Sequence, residues 1–491
     1  NNLFGFGRRG IFLDNGSDNW TVVGNEIRDN TLTSTDGDGI AIASGSDNTD
    51  IDENLIVGAS SQGIVVTAST GNVFTNNTIS GNGLGTATAV AQSAGITMRP
   101  GTTATTFDRN IVHLNYGAGI QVNDGATGTV ITQNSFADNG TIGARSTTAV
   151  TDQIGIDLNV SGDNNNLGTP DYYSVNDQGD TLQDFPILET ATIEGGNLTL
   201  TGWSKAGATI EVFIAAPDQF GFGEGETYIG TFVEGTSDGD PSTSNYSGLI
   251  NGLDQGADVN ASRFSFTVPV PGGVNDGTQL TATATLGSET SEFSGLVTAG
   301  AVNDISGTVF EDIAANLLSG GEAIGDANNP TVDGVDIWLY DDGPGDTVDV
   351  PDTNDAAVAG PVPTAGGGTF SFSVPDGTYW IVVDSQDLGP NSRWAEQTYG
   401  PDGAWCADGA GGTSENASAG ACYGGRRGNQ SDDLTPWFDD AEHLARIVVS
   451  GGDVTNVDFG FSFNAVTTTR GGSAVADPGA SGTQTVQGSL R

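Results

Sequence analysis

Carboxylates are the residues of this chain best suited to chemistry. Glycoside hydrolysis needs two of them on one groove, roughly 5 to 9.5 Å apart. In the first third of the sequence the candidates are Asp108 and Asp124, with His113, Arg99 and Arg109 close by. The two acids are separated by less than one of the repeats described below, and no repeat places an Asp–Asp pair at a common strand position. His113, followed by Leu114 and Asn115, reads as a solvent-facing turn, and His443 reads as a surface residue before an apolar strand. There is no G-x-S-x-G elbow, no G-x-x-x-x-G-K phosphate loop and no H-E-x-x-H pair. The residues alone therefore lead to the expectation that the chain is not an enzyme and holds no catalytic residue.

Oxygen-rich clusters suggest a metal instead. Glu311, Asp312, Asp326, Asp333 and Asp336 form one group, and Asp341, Asp342, Asp346, Asp349 and Asp352 a second. A calcium ion takes six to eight oxygens, and clustered carboxylates repel one another without a cation between them. Calcium is the expected cofactor, with a solvated acidic loop as the plain alternative. Cys406 and Cys422, sixteen positions apart, are the only cysteines. In an exported chain they form a disulfide closing a modest loop. Without histidines nearby, two cysteines do not build a zinc site.

The charge balance narrows the partners. Sixty-two acidic residues face fourteen basic ones, a formal charge of −48, and Lys205 is the only lysine. Such a chain repels nucleic-acid phosphates and anionic lipid, and it suits a salty or calcium-rich extracellular medium. No run of eighteen apolar residues is present, so no membrane-spanning helix is expected. The start Asn1-Asn2-Leu3-Phe4-Gly5 has no basic, apolar leader, and an exported, processed piece of a longer protein is the expectation.

The elements that would position these groups repeat. Gly-Ile pairs begin at Gly10, Gly39, Gly63, Gly95, Gly119 and Gly155. In phase with them lie Asn25-Glu-Ile, Asn54-Leu-Ile, Asn77-Thr-Ile, Asn110-Ile-Val and Asn134-Ser-Phe, at intervals of 29, 23, 33 and 24 residues. The short intervals are bare coils; the long ones carry loops, around Thr35 to Asp38 and Gly83 to Ser93. A coil of about 23 residues cannot bury its apolar side chains alone, so coils must stack at about 4.8 Å. Asparagine at a fixed coil position suits a left-handed turn and a bond to its counterpart in the next coil, and glycine suits the other tight corners.

Further along, the period changes. NLTLTGW, ATIEVFIA, TYIGTFVE, SRFSFTVPV and TQLTATATL alternate with period two, as in a sandwich with one wet face per sheet. ISGTVFED, VDGVDIWLYDDG, GTFSFSVPDGTYWIVVD and ARIVVSGGDVTNVDFGFSF form a third module. It carries an insertion of roughly 387–440, in which Trp394, Tyr399, Trp405, Tyr423 and Trp437 beside Arg393, Arg426 and Arg427 suit a small satellite core pinned by the disulfide, or else a carbohydrate or partner surface.

The coil pattern resembles the right-handed parallel β-helices of secreted carbohydrate-active and surface proteins, the NosD-like group included. Gly155-Ile156-Asp157-Leu158-Asn159 and Leu182-Gln183-Asp184-Phe185-Pro186 resemble the exit from such a helix in large bacterial surface proteins. The second module resembles the Ig-like domain that follows it, and the third the prealbumin-like B-type repeats of Gram-positive adhesins, stalk spacers that often bind calcium. Glu311-Asp312-Ile313-Ala314-Ala315-Asn316 departs from their acidic loop. Gln487-Gly488-Ser489-Leu490-Arg491 resembles the start of another β-helix.

The resulting expectation is an all-β protein: β-helix over 1–165, exit loop over 166–187, Ig-like sandwich over 188–300, prealbumin-like sandwich over 301–464 and linker over 465–491. Its expected role is extracellular and structural or adhesive, secreted or on the cell surface or in a matrix, as stalk, filament or matrix component. Its partners are then further domains of the same polypeptide, copies of itself, or surface polysaccharide. The alternative is carbohydrate binding or polysaccharide processing in the β-helix groove.

Overall fold

The computed structural model describes residues 2–4, 8–30, 37–85, 93–143, 150–159, 183–218, 221–236, 238–313, 323–324, 329–342, 355–384, 396–407, 413–415, 418–422 and 443–462. The exit loop to residue 182 and the 465–491 linker lie outside that set. The structure is all-β, and it divides into two compact units, Asn1–Gly300 and Ala301–Arg491.

The first unit begins with a parallel β-helix of three sheets. One sheet stacks Asn2–Phe4, Glu26–Arg28, Leu55–Val57, Thr78–Ser80, Ile111–His113 and Ser135–Ala137. A second stacks Ile11–Leu13, Ile40–Ala43, Ile64–Thr67, Ile96–Met98, Ile120–Asn123 and Ile156–Asn159, each beginning at the isoleucine of a Gly-Ile pair. The third stacks Thr21–Val23, Asp50–Asp52, Val73–Thr75, Thr103–Asp108 and Thr127–Thr132. Every pairing is parallel and in phase, as in Ile27↔Ile56 and Ile40↔Ile64. The interior is one file of apolar side chains, including Ile56, Ile79 and Val112 from the first sheet, Ile64, Ile96 and Ile120 from the second, and Ile51, Phe74 and Phe107 from the third. Phe74 and Phe107 stack with centroids 4.8 Å apart, which is the rung spacing.

The asparagines form the expected ladder. Asn54 Oδ1 accepts from Asn25 N at 2.9 Å and Asn25 Nδ2 at 3.0 Å, and Asn77, Asn110 and Asn134 repeat the pattern upward. The left-handed residue, however, is the one before each ladder asparagine: Gly24, Glu53, Asn76, Arg109 and Gln133 all have φ of 52–60°. A second ladder, five residues on, runs from Ala59 N through Asn82 and Asn115 to Asn139. The Gly-Ile glycines are needed for close approach and not for a left-handed corner. A Cβ on Gly39 would lie 2.5 Å from Gly63 O, and one on Gly119 2.5 Å from Gly155 O.

An antiparallel sandwich completes this unit. Asn197–Ser204 lies between Ile187–Glu194 and Asp258–Pro269, and Thr209–Ala216 lies between Glu224–Val233 and Gln279–Leu286. Leu198, Leu200, Ile210, Val212, Phe264 and Leu280 fill its core. Phe293 of the sandwich meets Phe136 of the last helical rung edge-on at 5.5 Å and belongs to the β-helix core.

The second unit pairs Asp336–Asp341 with Ala357–Pro363 and Gly377–Val383, and Gly377–Val383 with Leu444–Val449. Facing it, residues 302–311 pair with Thr369–Pro375 and Phe459–Ser462. Alternate apolar residues such as Ile305, Ile337, Leu339, Phe370, Phe372, Ile381 and Phe461 meet between the layers. No helix among the described residues is long and apolar enough to cross a membrane.

Candidate functional site

The outer face of the third helical sheet carries a row of side chains two residues before each ladder asparagine. Asp52 pairs with Thr75, Thr75 with Asp108 and Asp108 with Thr132. Their inward neighbours Ile51, Phe74, Phe107 and Ile131 are buried, so the row faces outward. Asp52 and Asp108 therefore sit two rungs apart, about 9.6 Å from two strand separations, near the upper carboxyl separation of inverting glycosidases.

Each member of the row has its own environment. Asp52 Oδ1 accepts from Thr75 Oγ1 at 2.7 Å and from Asn76 Nδ2 at 3.0 Å. These two donors, the threonine foremost, hold its carboxyl below the usual carboxylate range. Asp108 is paired with Arg109 Nη2 at 2.5 Å, and the arginine side chain is 57% exposed. Thr132 Oγ1 donates at 2.6 Å to Glu211 Oε1, a sandwich carboxylate that also accepts Gln133 N–H at 2.8 Å. Burial pushes Glu211 up, and the Asp108 charge adds to that. The row is thus Asp52, Thr75, Asp108, Thr132 and Glu211, with carboxylates and hydroxyls alternating.

Four expectations are corrected here. An Asp–Asp pair does occupy a common strand position, with Asp52 rather than Asp124 as the partner of Asp108; Asp124 is exposed on a turn after Ile120–Asn123. His113 ends the strand Ile111–His113, opposite Ser80 and Ala137, and is not on a turn. His443 is buried, with Nδ1 3.2 Å from Gln397 Oε1 and its ring edge-on to Phe461. Arg99 follows Ile96–Met98, on the second sheet and not beside Asp108.

The acidic set of the second unit is spread over backbone contacts. Asp333 accepts N–H from Gly367 at 3.0 Å and Gly368 at 2.6 Å, Asp341 from Ala356 at 2.6 Å, and Asp342 pairs with Arg446 at 3.1 Å. Glu311 ends one strand and Asp336 begins another, while Asp312 is buried with its N–H on Phe461 O. Asp326, Asp346, Asp349 and Asp352 lie outside the described residues. Among the described residues, no three Asp, Glu, His or Cys side chains gather in a metal-binding group. Cys406 and Cys422 form the expected disulfide. Beside it Trp405 packs edge-on against buried Trp380 at 5.8 Å.

A right-handed parallel β-helix followed by further β-sheet modules is the class of protein this fold defines. The family described as a right handed beta helix region matches residues 1–167. Among solved structures, the chain matches full-length tailspike protein 2 of an Escherichia coli O157:H7 bacteriophage at 11% identity and a TM-score of 0.20, covering 59% of this chain and 50% of the tailspike. It matches the enzymatically active domain of bacteriophage CBA120 tailspike protein 2 at 12% identity and a TM-score of 0.17, covering 54% of this chain and 53% of that one. A minor pilin of the Gram-positive pathogen Streptococcus agalactiae matches at 10% identity and a TM-score of 0.14, covering 57% of this chain and 90% of the pilin. The chain thus spans about half the length of the tailspike. No curated protein matches it. The expectation of a non-enzyme does not stand as argued: it relied on the lack of an Asp–Asp pair at a common strand position, and Asp52 and Asp108 form such a pair. Likenesses this low transfer no catalytic residue.

Proposed function

We propose that this chain is a module of an extracellular, surface-associated protein that binds polysaccharide along the third sheet of its β-helix and hydrolyses it there. The observation that carries this reading is the single outward row holding Asp52 and Asp108 two rungs apart. A glycosidic bond lying over Thr75 has one carboxylate on each side, with room for a water. Asp52, kept ionised by Thr75 and Asn76, is the base that activates the water. Asp108 is the carboxyl placed at the leaving oxygen, which takes its proton from solvent by way of this side chain once Arg109 has turned to a sugar hydroxyl. The charge of −48 favours neutral over polyanionic glycans. In the same proposal the sandwich modules hold this face away from the surface, and their partners are further modules of the polypeptide or other copies.

The test is incubation of the purified chain with a panel of neutral and acidic polysaccharides, read by new reducing ends and by chain length. Asp52→Asn and Asp108→Asn each lower turnover by about 10²–10⁴-fold with unchanged circular dichroism and melting. No shortening of any glycan, or full turnover by both variants, overturns the reading.

A further inference from the structure

The last rung of the helix offers N–H groups with no next rung to receive them, and the sandwich supplies oxygens in their place. Glu224 accepts from Asn139 N at 3.1 Å and from Asn139 Nδ2 at 2.9 Å, as each ladder asparagine accepts from the one below. Glu211 takes Gln133 N–H, and Glu289 takes Gly128 N–H at 2.5 Å. Glu292 takes Leu158 N–H at 2.8 Å, and Thr290 Oγ1 takes Ile131 N–H at 3.0 Å. Four carboxylates therefore close one end of the stack, touching all three turns of its final coil. Among the described residues, the other acceptors of the two asparagine ladders are neutral amides, and this end gathers four titratable ones; elsewhere in the stack Asp18 and Asp47 accept single N–H groups from Asp47 and Thr70.

The surroundings of the cap are acidic. Glu224 is buried beside a cavity of about 180 Å³ whose walls include Asp138, Asp152 and Asp218. Phe293 and Phe213 pack on its apolar side, and Glu226, two residues on, is exposed. Facing Glu211 are Thr132, Gln133 and Asp108, the last with Arg109 alongside. Glu289 meets Gly128 and Thr129.

We propose that proton occupancy of this carboxylate cap governs how firmly the sandwich of residues 187–300 closes the end of the β-helix. A protonated carboxyl still accepts the Asn139 N–H groups through its carbonyl oxygen, with no buried charge and no repulsion from Asp138 and Asp218. An ionised one brings both penalties. Burial, ahead of those two charges, pushes Glu224 up to about 8 from its ordinary 4.5. The folded state thus holds a proton that the unfolded state gives up between these values. Its stabilising effect is complete below 4.5, declines as pH rises, and is gone above about 8.

Glu224→Gln is the informative variant, because a glutamine amide continues the ladder without titrating. Urea unfolding of the full chain from pH 5 to 9 should show the wild-type folding constant falling relative to Glu224→Gln by up to tenfold per pH unit. The two should coincide near pH 5, with the variant more stable at pH 9. Should the variant not fold, amide exchange in the wild type gives the same answer. Protection at Gln133 and Asn139, divided by that at mid-stack Asn77, should decline over this range. Parallel pH profiles of variant and wild type, or constant relative protection, overturn the proposal.

Discussion

Replacing Asn110 with alanine should cost far more than the same change at Asn25, and the structure gives the size of the difference. The Asn110 carboxamide is 1% exposed; it accepts Asn77 N and Nδ2 at 2.9 Å and donates to Phe74 O and Asn134 Oδ1 at 2.9 Å. After truncation, Asn77 Nδ2 keeps Ile51 O and Asn134 Oδ1 keeps Asn110 N–H. Asn77 N is left without a partner inside the stack, and Phe74 O loses one donor. One buried orphan at about 1–3 kcal/mol and one lost bond at about 0.5–1.5 kcal/mol place the loss near 2–4 kcal/mol. Asn25 is half-buried at the lower end; its Nδ2 donates to Val23 O and Asn54 Oδ1, and Asn54 Oδ1 keeps the Asn25 N–H when the side chain is removed. Its loss should cost about 0.5–1.5 kcal/mol. Urea unfolding with unchanged slope measures both. Equal costs, or an Asn110→Ala cost below about 1 kcal/mol, would falsify the claim that the ladder carries load through the stack.

Other consequences concern the site and the second unit. Thr75→Val removes the main donor to Asp52, so the Asp52 carboxyl rises and the acidic limb of the polysaccharide pH–rate profile moves to higher pH; an unmoved limb excludes Asp52 as the base. Replacing both Cys406 and Cys422 with serine opens a loop with a separation of 16 residues and should lower the stability of the C-terminal unit by about 3 kcal/mol; equal unfolding midpoints under oxidising and reducing conditions would contradict this. Millimolar calcium should raise the melting temperature of the chelator-treated chain if carboxylates of the 341–352 segment hold an ion, and an unchanged midpoint rejects that ligand set.

Most of the helix was legible because its repeat is chemical as well as geometric. The asparagine intervals are the hydrogen-bonded register itself, and the Gly-Ile pairs start every strand of one sheet. The second ladder was equally visible, since Asn82, Asn115 and Asn139 each follow a first-ladder asparagine by five residues. Asp52 as the partner of Asp108 escaped notice because the intervening coils differ in length, which hides their common phase. Counting two residues back from Asn54, Asn77, Asn110 and Asn134 recovers Asp52, Thr75, Asp108 and Thr132. Glu211 and Glu224 had no such signal. Their partners lie 78 to 85 residues away, and only docking of the sandwich onto the last rung brings them together. His443 was misjudged for a related reason: its partners Gln397 and Phe461 come from distant strands.

The account turns on hydrolysis between Asp52 and Asp108, and the configuration of the newly released sugar end reads that geometry directly. Proton NMR during the first minutes of polysaccharide digestion should show the anomer opposite to that of the cleaved linkage, as expected for carboxylates with a water between them. First appearance of the same anomer, or of no new reducing end at all, would contradict it.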